Sequence, residues 1–161
     1  QGKSVQWHYS SRRDRVIMLT PQFEEFLQNG VVKTQVPDFS RARALKNDAE
    51  QTFQFLKEMI KHMGITDQSA NTLIKISYDL LMDLVRAKMF QKGLYAKGEG
   101  AHEATVAYLR ILQCKENDVQ FANEMRDIRH RIMYRGERFS KEYAEKAVQF
   151  LNKMYPQIKN E

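Results

Sequence analysis

Apolar residues recur at helical spacing along most of this chain, and this pattern constrains its fold more than any other feature. Over residues 69–92 they cover much of the helical circumference, which is typical of the buried helix of a bundle. Over residues 40–63 they fall on one arc instead. No alternating apolar and polar stretch is long enough for a sheet, and 3 Pro and 7 Gly leave room for long helices. The sequence predicts an all-α fold.

Capping and stop residues set the expected helix boundaries. Hydroxyl groups and prolines favour helix starts, whereas glycines favour helix ends. The predicted segments are a short helix from Thr20-Pro21 to Gly30, a connector over 31–38, and longer helices over 40–63, 69–92, 101–114, 118–134 and from Ser140 to just before Pro156. We therefore expect an up-and-down bundle of four to five antiparallel helices over residues 20–161, with a short N-terminal helix and an arm over residues 1–19.

The N-terminal arm mixes aromatic and basic residues. Trp7, His8 and Tyr9 precede Arg12, Arg13 and Arg15. Such an arm can stack on nucleic acid and neutralise it, or it can be a disordered tail or a strap on the body. We interpret Gln1-Gly2 as the scar of a cleaved tag.

Charge and cysteine content limit the surroundings of the protein. The net charge of +6 attracts polyanions without identifying one. A single cysteine, Cys114, cannot form an internal disulfide, and this favours the reducing cytoplasm. We see neither a signal peptide nor an apolar run of membrane-spanning length, and no cofactor or metal motif.

The helix predicted over residues 118–134 carries two distinct apolar faces. A helical wheel groups its side chains in three sets. They are a core stripe (Phe121, Met125, Ile128, Ile132), a solvent side (Asn123, Asp127, Arg131, Tyr134) and a flank (Val119, Ala122, Arg126, Arg129, His130, Met133). The flank mixes apolar and basic residues, which indicates a semi-buried groove or a subunit contact. We expect a two-fold homodimer with Val119, Ala122 and Met133 in the contact.

Five arginines follow one another closely at the end of this helix. The predicted anion-binding set is Arg126, Arg129, Arg131, Arg135 and Arg138. Arginine binds phosphate through two N–H groups at once, so the cluster favours RNA or another polyanion. The alternative is that these arginines pair with acids one turn away and pack their stems on the helix.

Three segments read FLQNGVVKTQVPDFSRARALKNDAEQTFQFL (26–56), GLYAKGEGAHEATVAYL (93–109) and RDIRHRIMYRGERFSKEYAEKA (126–147). In this order they resemble the HEPN superfamily, small helical bundles linked to nucleotides and RNA. The resemblance covers roughly residues 21–155. The resemblance implies an RNA-cleaving or RNA-binding role in a toxin–antitoxin-like pair, often with a minimal nucleotidyltransferase as partner.

The chain departs from the family pattern where active members carry Arg-Asn and then a His. Arg129 matches the arginine, but His130 stands at the asparagine, and Met133 or Tyr134 stands at the histidine. Neither Met nor an ordinary Tyr transfers protons well near neutral pH. We therefore expect a degenerate, non-catalytic interaction module that binds a protein partner, RNA or both. The alternative is a metal-independent ribonuclease that uses Arg126 or Arg129 with His130, because Arg126 and His130 lie one turn apart.

His102 and Glu103 begin the third long segment. Glu in the first turn of a helix suits the helix dipole. The zinc pattern H-E-x-x-H is absent from the positions that follow. We interpret the pair as structural.

Overall fold

The structure, a computed structural model, describes residues 21–160. The predicted arm over residues 1–19 lies outside this range. The elements are α1 (Phe23–Gln28), β1 (Val32–Thr34), α2 (Phe39–Met63), α3 (Ala70–Gln91), β2 (Leu94–Ala96), α4 (Ala101–Ile111), α5 (Glu116–Arg135) and α6 (Lys141–Asn160). The prediction of an all-α bundle is confirmed.

Helix α3 lies at the centre of the bundle. It packs against α2, α4, α5 and α6. Its buried side chains lie on nearly all of its sides, as the continuous apolar pattern predicted. Leu73, Ile74, Tyr78, Leu81 and Val85 are completely or almost completely buried. Helix α2 turns a narrower apolar face toward this axis, with Ala42, Ala49, Phe53 and Leu56 buried.

Two short strands form an antiparallel pair that the sequence analysis missed. The pairing joins Val32 to Ala96, Lys33 to Tyr95 and Thr34 to Leu94. Three residues are too few to show a period-2 pattern, and this is why the expectation of no sheet was wrong. The pair closes one end of the bundle beside α3, and Gln35 N donates to the carbonyl of Gly93 at 2.8 Å.

Most helix ends fall where the sequence predicted them. The Asp38 side chain accepts a hydrogen bond from Arg41 N at 2.9 Å and caps α2. Gly64 ends α2 with a φ of 70°, and Gly136 ends α5 in the left-handed region with a φ of 64°.

Helix α6 is longer than predicted. It continues through Pro156 to Asn160, whereas the sequence analysis ended it before the proline. A proline in a helix removes one backbone hydrogen bond and crowds the preceding turn. Here the last turn also buries Ile158, which is 1% exposed, and this packing favours continuing the helix.

Within residues 21–160, no helix combines the length and apolar character needed to cross a membrane.

Candidate anion-binding pocket

A small pocket opens between α3, α4 and the second half of α5. Its volume is about 90 Å³. We call it the arginine pocket, and its lining residues are Tyr78, His102, Arg126, Arg129, His130 and Tyr134. It has room for a few water molecules or a group of similar size. A drug-sized ligand needs at least about 300 Å³, so only part of a larger molecule would enter.

Helix α5 supplies four of the six lining residues. Arg126 and His130 are one turn apart and so lie on one side of the helix, as the spacing predicted. Arg129 reaches the same pocket. The structure therefore brings together the three residues that the sequence analysis named as candidate catalytic groups. Tyr134 lies one turn after His130, and their rings are 4.6 Å apart.

Both pocket arginines are held by carboxylates from neighbouring helices. Arg129 donates to Asp79 of α3 through Nε at 2.6 Å and through Nη2 at 3.3 Å. Arg126 Nη1 lies 3.4 Å from Glu103 of α4. The side chains of Arg126 and Arg129 are 19% and 22% exposed. A guanidinium has five N–H donors, so each arginine keeps donors for an incoming oxyanion while its carboxylate holds it in place.

Tyr78 of α3 lies at the floor of the pocket and is fully buried. Burial raises its pKa well above the usual value, and the charges of Arg126 and Arg129 oppose this shift only in part. The phenol therefore stays protonated at neutral pH and can donate a hydrogen bond. Its hydroxyl has no hydrogen-bond partner among the described residues.

His102 enters the pocket from the first turn of α4. Partial burial lowers its pKa, and the nearby charge of Arg129 lowers it further. The imidazole is therefore neutral near pH 7, where it can accept a proton. From the sequence, His102 is interpreted as structural, and its place in the pocket is not predicted. The short connection between α4 and α5 could have revealed the contact. In an antiparallel helix pair, a residue before the loop faces the residue that lies equally far after it, so His102 is expected to face the second half of α5.

The remaining arginines of the predicted anion-binding set lie outside this lining. Arg131 donates to Glu137 through Nε at 2.9 Å, and its guanidinium carbon lies 5.2 Å from the centre of the Phe139 ring. Arg138 Nη2 donates to the carbonyl of Asp67 at 3.4 Å. Arg135 is exposed at the end of α5. The five arginines thus divide into a pocket pair and an outer group.

Two residues predicted for a dimer contact belong to the core of the chain itself. Val119 and Ala122 are both 0% exposed, and they cannot form the contact surface proposed for them. The reason is that α5 is covered on two sides, since both α3 and α4 pack against it. Asn123, predicted to face solvent, is also buried at 8% exposure, and it accepts a hydrogen bond from Arg126 Nε at 3.0 Å. Of the predicted contact residues, only Met133 is exposed, at 50%.

A larger groove of about 460 Å³ lies elsewhere, where the start of α2 meets the ends of α3 and α4. Its lining includes Phe39, Lys92 and Leu112 but neither an imidazole nor a carboxylate. The arginine pocket is smaller, yet it gathers the groups that can bind an anion and move a proton.

Over residues 21–160, no cluster of three or more His, Cys, Asp or Glu side chains is placed to hold a metal ion.

Comparisons of the chain with protein-family models, with curated proteins and with solved structures find no match. The resemblance to the HEPN superfamily therefore stays a prediction from the sequence.

Proposed function

We propose that this chain is a HEPN-like interaction module that binds RNA through the arginine pocket and works with a protein partner of the nucleotidyltransferase type. The setting would be a toxin–antitoxin-like system of the cytoplasm. One observation carries the RNA-binding part: Arg126 and Arg129 converge with two imidazoles on a pocket about 90 Å³ in volume. The partner and its setting rest on the sequence resemblance alone.

The chemistry of the pocket favours a phosphate group over other anions. Two guanidinium groups can each give paired N–H donors to phosphate oxygens, which suits a tetrahedral anion with several acceptors. The pocket is too small for a whole nucleotide, so the sugar and base would remain outside it. The net charge of +6 adds a long-range attraction for polyanions. A single-stranded RNA with one phosphate in the pocket fits these constraints.

The experiment compares two double variants that remove the same charge. Arg126→Ala/Arg129→Ala changes the pocket, and Arg131→Ala/Arg138→Ala changes the outer group. Fluorescence anisotropy with a short single-stranded RNA, measured at several salt concentrations, gives the affinity and its salt dependence. We expect the pocket variant to bind at least about tenfold more weakly and its salt slope to fall by about 0.7, the value for one phosphate on a single strand.

The outer variant should bind nearly as well as the wild type, because Arg131 and Arg138 lie outside the pocket lining and cannot reach a phosphate held there. Equal losses in both variants would mean that charge alone drives binding and that the pocket is not the site. Circular dichroism checks that both variants remain folded.

The position of His102 favours a second candidate, a metal-independent ribonuclease. His130 was the imidazole that the sequence analysis offered, and the pocket adds another on the neighbouring helix. A neutral His102 can act as a base while Arg126 and Arg129 stabilise charge on phosphorus. Because the pKa of His102 is lowered, a rate that depends on the neutral imidazole would rise with pH, and the midpoint of the rise would lie below the ordinary histidine value near 6.5.

A further inference from the structure

The buried hydroxyl of Tyr78 is a polar group that the fold itself does not explain. Buried polar groups are nearly always hydrogen-bonded, and each exception has a cause such as strain, catalysis or a missing ligand. Two other hydroxyls, of Ser77 and Tyr143, are also buried, and that of Tyr143 lies close enough to Glu124 to interact with its carboxylate. Of the three, only Tyr78 lines the arginine pocket.

The surroundings of this hydroxyl select a negatively charged acceptor. The charges of both Arg126 and Arg129 act on it, and the carboxylate of Asp79 opposes them only in part. The guanidinium carbon of Arg129 lies 6.0 Å from the centre of the Tyr78 ring. The phenol stays protonated, so it has one O–H to donate. An acceptor placed here gains this hydrogen bond and the attraction of both cations, which suits an oxyanion.

We propose that Tyr78 is a third ligand of the bound phosphate: the lining side chains above it shift to admit the ligand, and the buried phenol then donates its hydroxyl to a phosphate oxygen. This inference rests on the proposed function. It assigns a specific role to α3, which otherwise serves as the buried axis of the bundle. The hydroxyl is neutral, so it adds a directional contact at the floor that is largely independent of salt.

The proposal predicts opposite effects of one substitution on stability and on binding. Tyr78→Phe removes only the hydroxyl. The protein then no longer buries a donor without a partner, so its unfolding midpoint should stay the same or rise. Binding loses a hydrogen bond to a charged group, which corresponds to about a tenfold weaker affinity. If the role of Tyr78 were purely structural, Tyr78→Phe would not weaken binding while leaving stability intact.

The test measures binding of inorganic phosphate and of a short single-stranded RNA by isothermal titration calorimetry, with thermal unfolding in parallel. Tyr143→Phe is the matched control, because Tyr143 also carries a buried hydroxyl but contacts Phe121 and Phe139 away from the pocket. We expect Tyr78→Phe to weaken both ligands about tenfold and Tyr143→Phe to weaken neither.

The possible failures are distinguishable. If the wild type binds both ligands and Tyr78→Phe binds them equally well, the role of Tyr78 is refuted while the proposed function stands. If the wild type binds neither ligand, both are refuted. Should Tyr78→Phe not fold, the tyrosine ultraviolet difference spectrum of the wild type on adding phosphate decides instead. A change that persists in both Tyr134→Phe and Tyr143→Phe supports the contact, because Tyr134 is the other tyrosine of the pocket lining, and no change refutes it.

Discussion

Arg126 and Arg129 are each held in the arginine pocket by an acidic residue of another helix. Asp79 holds Arg129 through two hydrogen bonds, and Glu103 contacts Arg126. A guanidinium that is already oriented loses less conformational freedom when a phosphate arrives. The acids also reduce the net positive charge of the pocket, which weakens attraction for any single anion. The pocket is therefore suited to moderate, salt-dependent binding.

RNA cleavage is the property that separates the two candidate functions. The wild type is expected to bind RNA and leave it intact in the presence of a chelator, because the family histidine is replaced by Met133 or Tyr134. Tyr134 lines the pocket, whereas Met133 does not. Tyr134→His should therefore gain cleavage activity, and Met133→His, one residue away, should not.

The same cleavage assay can refute the non-catalytic interpretation. If the wild type cleaves RNA without metal and either His130→Ala or His102→Ala abolishes cleavage while remaining folded, the protein is a ribonuclease. The non-catalytic interpretation would then be wrong.

The helical spacing predicted part of the pocket. It placed Arg126 and His130 on one side of α5, because residues four apart along a helix share a side. Tyr78 and His102 come from other helices, and periodicity along one segment carries no information about contacts between segments. Val119 and Ala122 were misassigned for the same reason, since a wheel shows a second apolar face without showing that α4 covers it.

At the scale of elements, the turn from α3 into β2 depends on Gly93. Its φ is 68°, and an added Cβ would lie 2.2 Å from the carbonyl oxygen of Gln35. Gly98 has a φ of 82°, but an added Cβ there meets nothing within 4 Å. Both alanine variants carry the cost of a left-handed backbone, about 1 kcal/mol, and only Gly93→Ala adds a clash with backbone.

We therefore expect Gly98→Ala to lower the free energy of unfolding by about 1 kcal/mol and Gly93→Ala by about 3 kcal/mol. Urea denaturation followed by circular dichroism measures both. Equal losses would show that β1 moves freely away from this turn and that the close approach does not constrain the fold.

Long elements were predictable from the sequence and short ones were not. Helices α2 and α3 repeat their apolar pattern over several turns; Asp38 and Gly64 mark the two ends of α2, and Gly93 follows the end of α3, whose start has no side-chain cap. The strands β1 and β2 have three residues each, too few for a pattern. The extension of α6 past Pro156 depends on burial of Ile158 in the bundle, and local propensity gave no sign of it.

At the scale of the whole molecule, the core accounts for most apolar side chains but leaves a few exposed. Near the end of α5, Met133 is 50% exposed and Tyr134 is 74% exposed. They stand beside the arginine pocket, which Tyr134 also lines. A two-fold contact of this surface with a second copy would bring two arginine pockets close together, because an isologous contact repeats the same residues on both sides.

The predicted homodimer can therefore be tested at Met133, since Val119 and Ala122 are unavailable for contact. We expect sedimentation of the wild type at micromolar concentration to show a dimer. Met133→Glu should raise the dimer dissociation constant at least about tenfold, because it places a charge in an apolar contact. Met63→Glu is the matched control, since Met63 is 72% exposed at the end of α2. A wild type that sediments only as a monomer would rule out the dimer, and a dimer that Met63→Glu alone disrupts would place the contact at α2.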